Sequence, residues 1–265
     1  MDKVFEELDK IIKPKPSLGF EISNDPATVY DSKLGGIPYF PKNEDYPISS
    51  VNGEPLSLLA QINFSSIPNI EGFPKEGILQ IFIANDEMYG VDFDDNKTQK
   101  DFRVIYHKDI KPETELMDSF PEGVNSNELP IEKPYKLIPK VAKLMSANIH
   151  HPDFEEEFIK VYNKVNNMAI DEFWSLEDSE SSKVYEHDRE MCWIGGFPVF
   201  AQYDPREGKD FTDYDTLLFE LDSLWDNENN IRIMWGDSGT GTFFISSEKL
   251  RNLDFSDIFY SWDCC

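Results

Sequence analysis

The stretch Leu34-Gly35-Gly36-Ile37-Pro38-Tyr39-Phe40 returns in the second half of the chain as Ile194-Gly195-Gly196-Phe197-Pro198-Val199-Phe200, with both glycines, the proline and the last phenylalanine kept. About 22 residues beyond each copy, Leu58-Leu59-Ala60-Gln61-Ile62-Asn63 is echoed by Leu217-Leu218-Phe219-Glu220-Leu221-Asp222, with the same alternation of apolar and polar side chains. A third apolar run follows in each half, Ile78 to Ile83 and Ile231 to Trp235. Three elements in one order predict a duplicated unit. Such a unit leaves one sheet face apolar, and its twin is the economical cover. The expectation is a single domain over residues 1–265 with pseudo-twofold symmetry. Copy one runs over about 30–110, a connecting segment with a helix over about 111–183, copy two over about 184–250 and a C-terminal segment over 251–265.

The remaining pattern predicts an α+β fold, mainly antiparallel β with a few peripheral helices. Short alternating or apolar runs predict strands at Leu56–Phe64, Ile78–Ala84, Phe102–Tyr106, Thr216–Asp222, Ile231–Trp235 and Thr242–Ile245. Val4, Phe5, Leu8, Ile11 and Ile12 have helical spacing after Asp2 and stop before Pro14 and Pro16. A second helix starts at Asp153 with Glu155, Glu156 and Glu157 in its first turn, and carries Phe154, Phe158, Val161, Tyr162, Val165 and Met168 on one face. Asp153 and Glu156 have capping-box spacing. The polar run Glu177 to Ser182 reads as a solvated loop.

With 40% hydrophobic and 14% aromatic residues, 265 residues can bury a core without disulfide or metal. Cys192, Cys264 and Cys265 form neither a disulfide framework nor a zinc spacing, the N-terminus lacks the features of a secretory signal, and no window is apolar enough to span a membrane. A cytoplasmic protein without cofactor is expected. The formal net charge of -26 opposes binding to nucleic acid or an anionic membrane and favours a basic protein partner or a cation.

Motifs with a chemical look fail on their details. Gly236-Asp237-Ser238-Gly239 matches the surroundings of a serine-protease nucleophile, but no histidine stands in a matching context, and a hairpin loop between flanking strands is expected. Asp92-Phe93-Asp94-Asp95-Asn96 begins like a calcium loop, yet Lys97 replaces the required glycine and Arg103 the closing glutamate. His150, His151 and His187 have no companion ligands and are expected at the surface. No catalytic residue is assigned, and the metal question stays open. The strongest constellation follows from the repeat. Gln61 and Asn63 share one face in copy one, Glu220 and Asp222 share one in copy two, and Asp237 lies one strand away. If the copies face each other, these side chains converge on a cation or a polar ligand. Otherwise they line an exposed face or hydrogen-bond loop backbone. Arg206 and Trp235, with Tyr203 and Trp262, are the candidate recognition residues.

Gly35-Gly36-Ile37-Pro38-Tyr39-Phe40-Pro41, Leu58 to Phe64, Gly77-Ile78-Leu79-Gln80, Asp204-Pro205-Arg206, Leu217 to Asp222, Met234 to Gly239 and the ending Tyr260 to Cys264 together resemble the YwqG-like family of bacterial proteins, from near residue 30 to the C-terminus. The resemblance brings no established activity, substrate or catalytic residue; the proximity of some members to secreted-toxin genes implies toxin immunity. The reading is therefore a non-enzymatic binding or interaction protein. The alternative is a carboxylate-based, metal-dependent hydrolase using Glu220, Asp222 and Asp237.

Overall fold

A computed structural model describes residues 1–124, 129–206 and 213–265. Its strands are β1 (Lys15–Ser23), β2 (Lys33–Leu34), β3 (Ser57–Asn63), β4 (Ile78–Ile83), β5 (Phe102–His107), β6 (Tyr135–Pro139), β7 (Lys143–Met145), β8 (Cys192–Gly195), β9 (Thr216–Asp222), β10 (Leu224–Asp226), β11 (Ile231–Ile233), β12 (Thr240–Ile245) and β13 (Phe259–Asp263). The helices are α1 (Asp2–Leu8), α2 (Phe154–Asn166), α3 (Asp178–Tyr185) and α4 (Ser247–Arg251). The class is α+β, mainly antiparallel.

Among the described residues one large sheet runs β13-β12-β9-β8-β1-β6-β2-β3-β4-β5, with β7 paired to β1 off this path and β10 with β11 in a separate ribbon. Its centre is the antiparallel pair β1 and β6, with Glu21 opposite Ile138. Outward from that pair the two sides repeat one register. Lys33 pairs with Gln61 on one side, and Trp193 with Glu220 on the other. Gln61 then pairs with Gln80, and Glu220 with Thr242. A register irregularity falls beside Leu59 in β3 and beside Leu218 in β9, which occupy the same place in the two sequence repeats.

Alternate residues Leu18, Phe20 and Ile22 of β1 join Ile62, Leu79, Ile81, Leu221 and Phe243 in one core that draws on both sides of the sheet. The sheet curls until its end strands approach. Phe102 of β5 lies with its ring 5.2 Å from Tyr260 of β13. On the other face, Phe40, Leu58 and Phe82 form a small cluster matched by Phe200, Leu217 and Phe244. A helical layer is joined to the sheet through Met145 and Phe197, with Val4, Phe5 and Leu8 of α1 against Phe154, Phe158 and Tyr162 of α2. No helix of the described residues is long and apolar enough to cross a membrane.

Several local expectations are corrected. The strand that occupies the third place in the second half is β12; β11, over Ile231–Ile233, pairs with β10 instead. Gly236–Gly239 is accordingly a turn between two strands that do not pair with each other, with Ser238 exposed at φ 61°. The polar run 177–182 lies largely in α3, where Val184 gives it a buried anchor. Asp153 precedes α2 without a side-chain cap. The three histidines are half-buried, His187 stacked on Phe5 and His150 and His151 edge-on to Phe200 and Phe197.

The curl is fastened by Asn96, the last residue of the failed calcium-loop motif. Its carbonyl accepts the Tyr260 N–H at 3.0 Å and its side-chain amide donates to the Tyr260 carbonyl at 2.9 Å, while the residue is buried. These bonds satisfy the Tyr260 backbone groups on the outer edge of β13, which would otherwise be unpaired. Asn96→Ala leaves that buried carbonyl without its donor and is expected to lower unfolding stability by about 1–3 kcal/mol. A urea titration checks this; an unchanged midpoint would show that β13 needs no fastening.

Candidate functional site

In each half, part of the polar row that runs across the sheet face holds the segment that follows the Gly-Gly turn. Gly35 and Gly36 have φ of 60° and 73°, and Gly195 and Gly196 have 69° and 70°, the left-handed conformation that favours glycine. The turn carries the chain from β2 or β8 onto the sheet face, where its backbone groups need partners.

In the first half those partners are amides. Gln61 Oε1 accepts the Tyr39 N–H at 2.9 Å, and Gln61 Nε2 donates to the Val29 and Asp31 carbonyls at 2.8 and 2.9 Å. Gln80 Nε2 donates to the Tyr39 carbonyl and to Gln61 Oε1. Gln80 Oε1 is thereby left as an acceptor, and His107 Nε2 donates to it at 2.9 Å. The other ring nitrogen of His107 faces Glu44 at 3.3 Å. Burial holds the His107 pKa below the usual value, with Glu44 acting in the opposite sense. Asn63 donates to the Tyr30 carbonyl at 2.8 Å and accepts the Ser65 N–H at 3.0 Å.

In the second half carboxylates take these places. Both Glu220 oxygens accept the Val199 N–H, at 3.0 and 3.2 Å; Val199 stands in its repeat where Tyr39 stands in the first. Asp222 is held by Arg189, by the Thr240 hydroxyl at 2.8 Å and by the Ser223 N–H at 3.0 Å. Asp263 of β13, equivalent in register to His107, accepts the Gln202 N–H at 2.7 Å. Glu220 is fully buried and forms no ion pair among the described residues, Arg189 acting on it only from a distance. Burial, with Asp222 adding like charge, pushes its carboxyl well above the glutamate range; burial raises Asp263 too.

The expected convergence of Gln61 and Asn63 with Glu220 and Asp222 is not what the strand order gives. Between β3 and β9 lie β2, β6, β1 and β8, and each set bonds within its own half. Asp237 is exposed on its turn, apart from this row. Arg206 is held by Asp204 and the Tyr214 carbonyl and lies 4.0 Å over the Phe244 ring. Trp235 is core, edge-on to Tyr89 at 5.2 Å. Among the described residues no three His, Cys, Asp or Glu side chains are placed to hold a metal ion. Gln80, His107 and Lys33 were missed. For Lys33 the repeat carried a signal, since its counterpart is the aromatic Trp193 and a buried setting followed from that.

Glu220→Gln puts into the second half the group that Gln61 already supplies in the first. An acid whose folded pKa is raised ionises in the unfolded chain above about pH 4.5 before it does so in the folded one, so stability falls as pH rises from there toward the folded pKa. The variant escapes that loss. Its melting midpoint is expected to match the parent near pH 4 and to exceed it by a few degrees at pH 7 to 8, as thermal scans across pH would show. A lower midpoint at pH 7 would mean that the ionised carboxylate is what the fold uses.

No curated protein matches the chain. The family model described as a domain of unknown function, DUF1963, matches residues 32–264, which takes in both Gly-Gly turns, both polar rows and β13. On that match, the chain belongs to the DUF1963 family.

Proposed function

We propose that this chain is a non-enzymatic binding protein, built from one duplicated unit, that presents loops from a rigid sheet to a basic protein partner. The reading rests on what the polar residues do. Gln61, Gln80, Glu220 and Asp263 bond loop backbone and Asp222 bonds Arg189 and Thr240, so in this reading Glu220 and Asp222 serve as anchors. The shared register, the matched irregularities and the paired Phe40 and Phe200 clusters support the duplication.

The observation that carries the binding reading is the contrast along each anchored segment. Its root is buried at Tyr39 and Phe40, while Ile48 is 51% and Val51 67% exposed farther out, beside exposed Glu44, Asp45 and Glu54. In the other half Tyr203 is 65% exposed three residues beyond buried Phe200. Exposed apolar side chains among carboxylates suit a partner with basic and apolar surface, and the net charge of -26 draws such a partner in. The YwqG-like resemblance makes a basic toxin one such partner and immunity the corresponding role.

The test is binding to a panel of basic proteins of similar charge at physiological salt, followed by a salt series on any specific partner. Selective binding is expected, weakening as salt rises because the screening length falls from about 10 Å at 0.1 M to about 3 Å at 1 M. An Ile48→Ser, Val51→Ser double variant is expected to lose about tenfold in affinity or more with an unchanged melting midpoint. Equal binding to the whole panel, or affinity that does not fall with salt, would sink the proposal.

A further inference from the structure

A cavity of about 540 Å³ opens beside the first Gly-Gly turn, walled by Val29, Ile37, Ile131 and Tyr135 and by the turn glycines. Lys33 also lines it, although the residue is only 3% exposed. Its ammonium has three donors, and two go to backbone carbonyls, Thr28 at 2.9 Å and Ile37 at 2.6 Å. The third has no acceptor among the described residues.

Lys33 is not needed to build the turn. The second half makes the same Gly-Gly turn, in the same strand register, with Trp193 in this place. At this place in the register, a buried amine with a spare donor at a cavity wall is therefore found in the first half and not in the second. Burying an ammonium is unfavourable unless it is paired, which leaves the site short of a negative oxygen. We propose that the cavity binds a small organic carboxylate with an apolar body, its carboxylate received by Lys33 and its body by Ile37, Ile131 and Val29. The 49% exposure of Ile37 marks the mouth. The overall negative charge does not forbid an anion here, since charges beyond about 8 Å are screened at physiological salt.

Other charges face this amine. Asp31 is nearest along the chain and is itself paired with Lys136 at 3.5 Å; Asp25, Glu132 and Lys133 stand on the cavity wall. Burial pulls the Lys33 pKa down to about 8, against the pull of Asp31. A ligand that needs the charged amine loses its partner as pH passes that value, and this gives the experiment a readout that a purely structural lysine would not move.

The experiment follows amide resonances of the isotope-labelled full chain during titration with 4-phenylbutyrate and, separately, its neutral amide. Saturable shifts are expected at Gly35, Gly36 and Ile37, with the acid at least about tenfold tighter than the amide, the discrimination one charged hydrogen bond supplies. Above pH 8 the affinity of the acid is expected to fall by up to about tenfold per pH unit. Lys33→Met should abolish the preference for the acid. If that variant does not fold, Ile37→Glu at the half-exposed mouth replaces it and should weaken the acid by about tenfold or more through like charge. Absence of shifts at the turn, equal binding of acid and amide, affinity flat from pH 7 to 9.5, or undiminished binding in a folded variant would each overturn the proposal. None of these outcomes bears on binding of a protein partner.

Discussion

The antiparallel pairing of β1 with β6 is the constraint on which the rest of the molecule depends. Among the described strands it alone joins the two halves of the large sheet, through Phe20 with Pro139 and Ile22 with Leu137. Each half brings five strands of the main path to this seam. Because β1 comes from the start of the chain and β6 from its middle, the seam forms only when segments far apart in sequence meet. Once it forms, Leu18, Phe20 and Ile22 complete a core shared by both halves, and the curl brings β5 to β13. Asn96 then fastens what the seam has positioned.

On the opposite face, the two halves solve one problem with different chemistry. A chain segment laid across a sheet face carries backbone groups that need partners, and each half supplies them from the middle of its third or ninth strand. An amide does this without charge: Gln61 donates and accepts at once. Glu220 in the same register can accept the Val199 N–H, but only as a group pushed toward its neutral form by burial and by Asp222. The polar row of the second half is thus sensitive to the ionisation of a buried carboxyl, where that of the first has the His107 imidazole. The first half differs in the opposite sense, with a buried cation at Lys33 where the second has Trp193. Beneath a common register, the two halves have become chemically unlike.

The binding role proposed above draws on those anchored segments. Glu220 is wholly buried and bonded to the Val199 N–H, while in the first half the exposed apolar and acidic side chains sit farther out on the segment that Gln61 anchors. Rigid roots with exposed tips limit the entropy lost when a partner is met.

How much of this was legible in the sequence follows from how far each cause reaches along the chain. The Gly-Gly turns, the alternation in β3 and β9, the amphipathic pattern of α2 and the acidic surface are properties of neighbouring residues, and the sequence by itself determined them. The central strand β1 was not among the strands expected: Pro16, read as a stop for the first helix, lies inside it, although Leu18, Phe20 and Ile22 alternate just beyond. The order of strands misled at Ile231–Ile233, because apolar content alone does not say which neighbour a strand joins. The fate of Gln61, Asn63, Glu220 and Asp222 was beyond local reading altogether. Alternation shows that Gln61 and Asn63 share a face, but whether that face meets water, a ligand or a returning loop depends on which distant segment covers it. Only the tertiary structure decided that the loop covers it, since the N–H groups of Tyr39 and Val199 reach Gln61 and Glu220 only after the Gly-Gly turn has folded the chain back across the sheet.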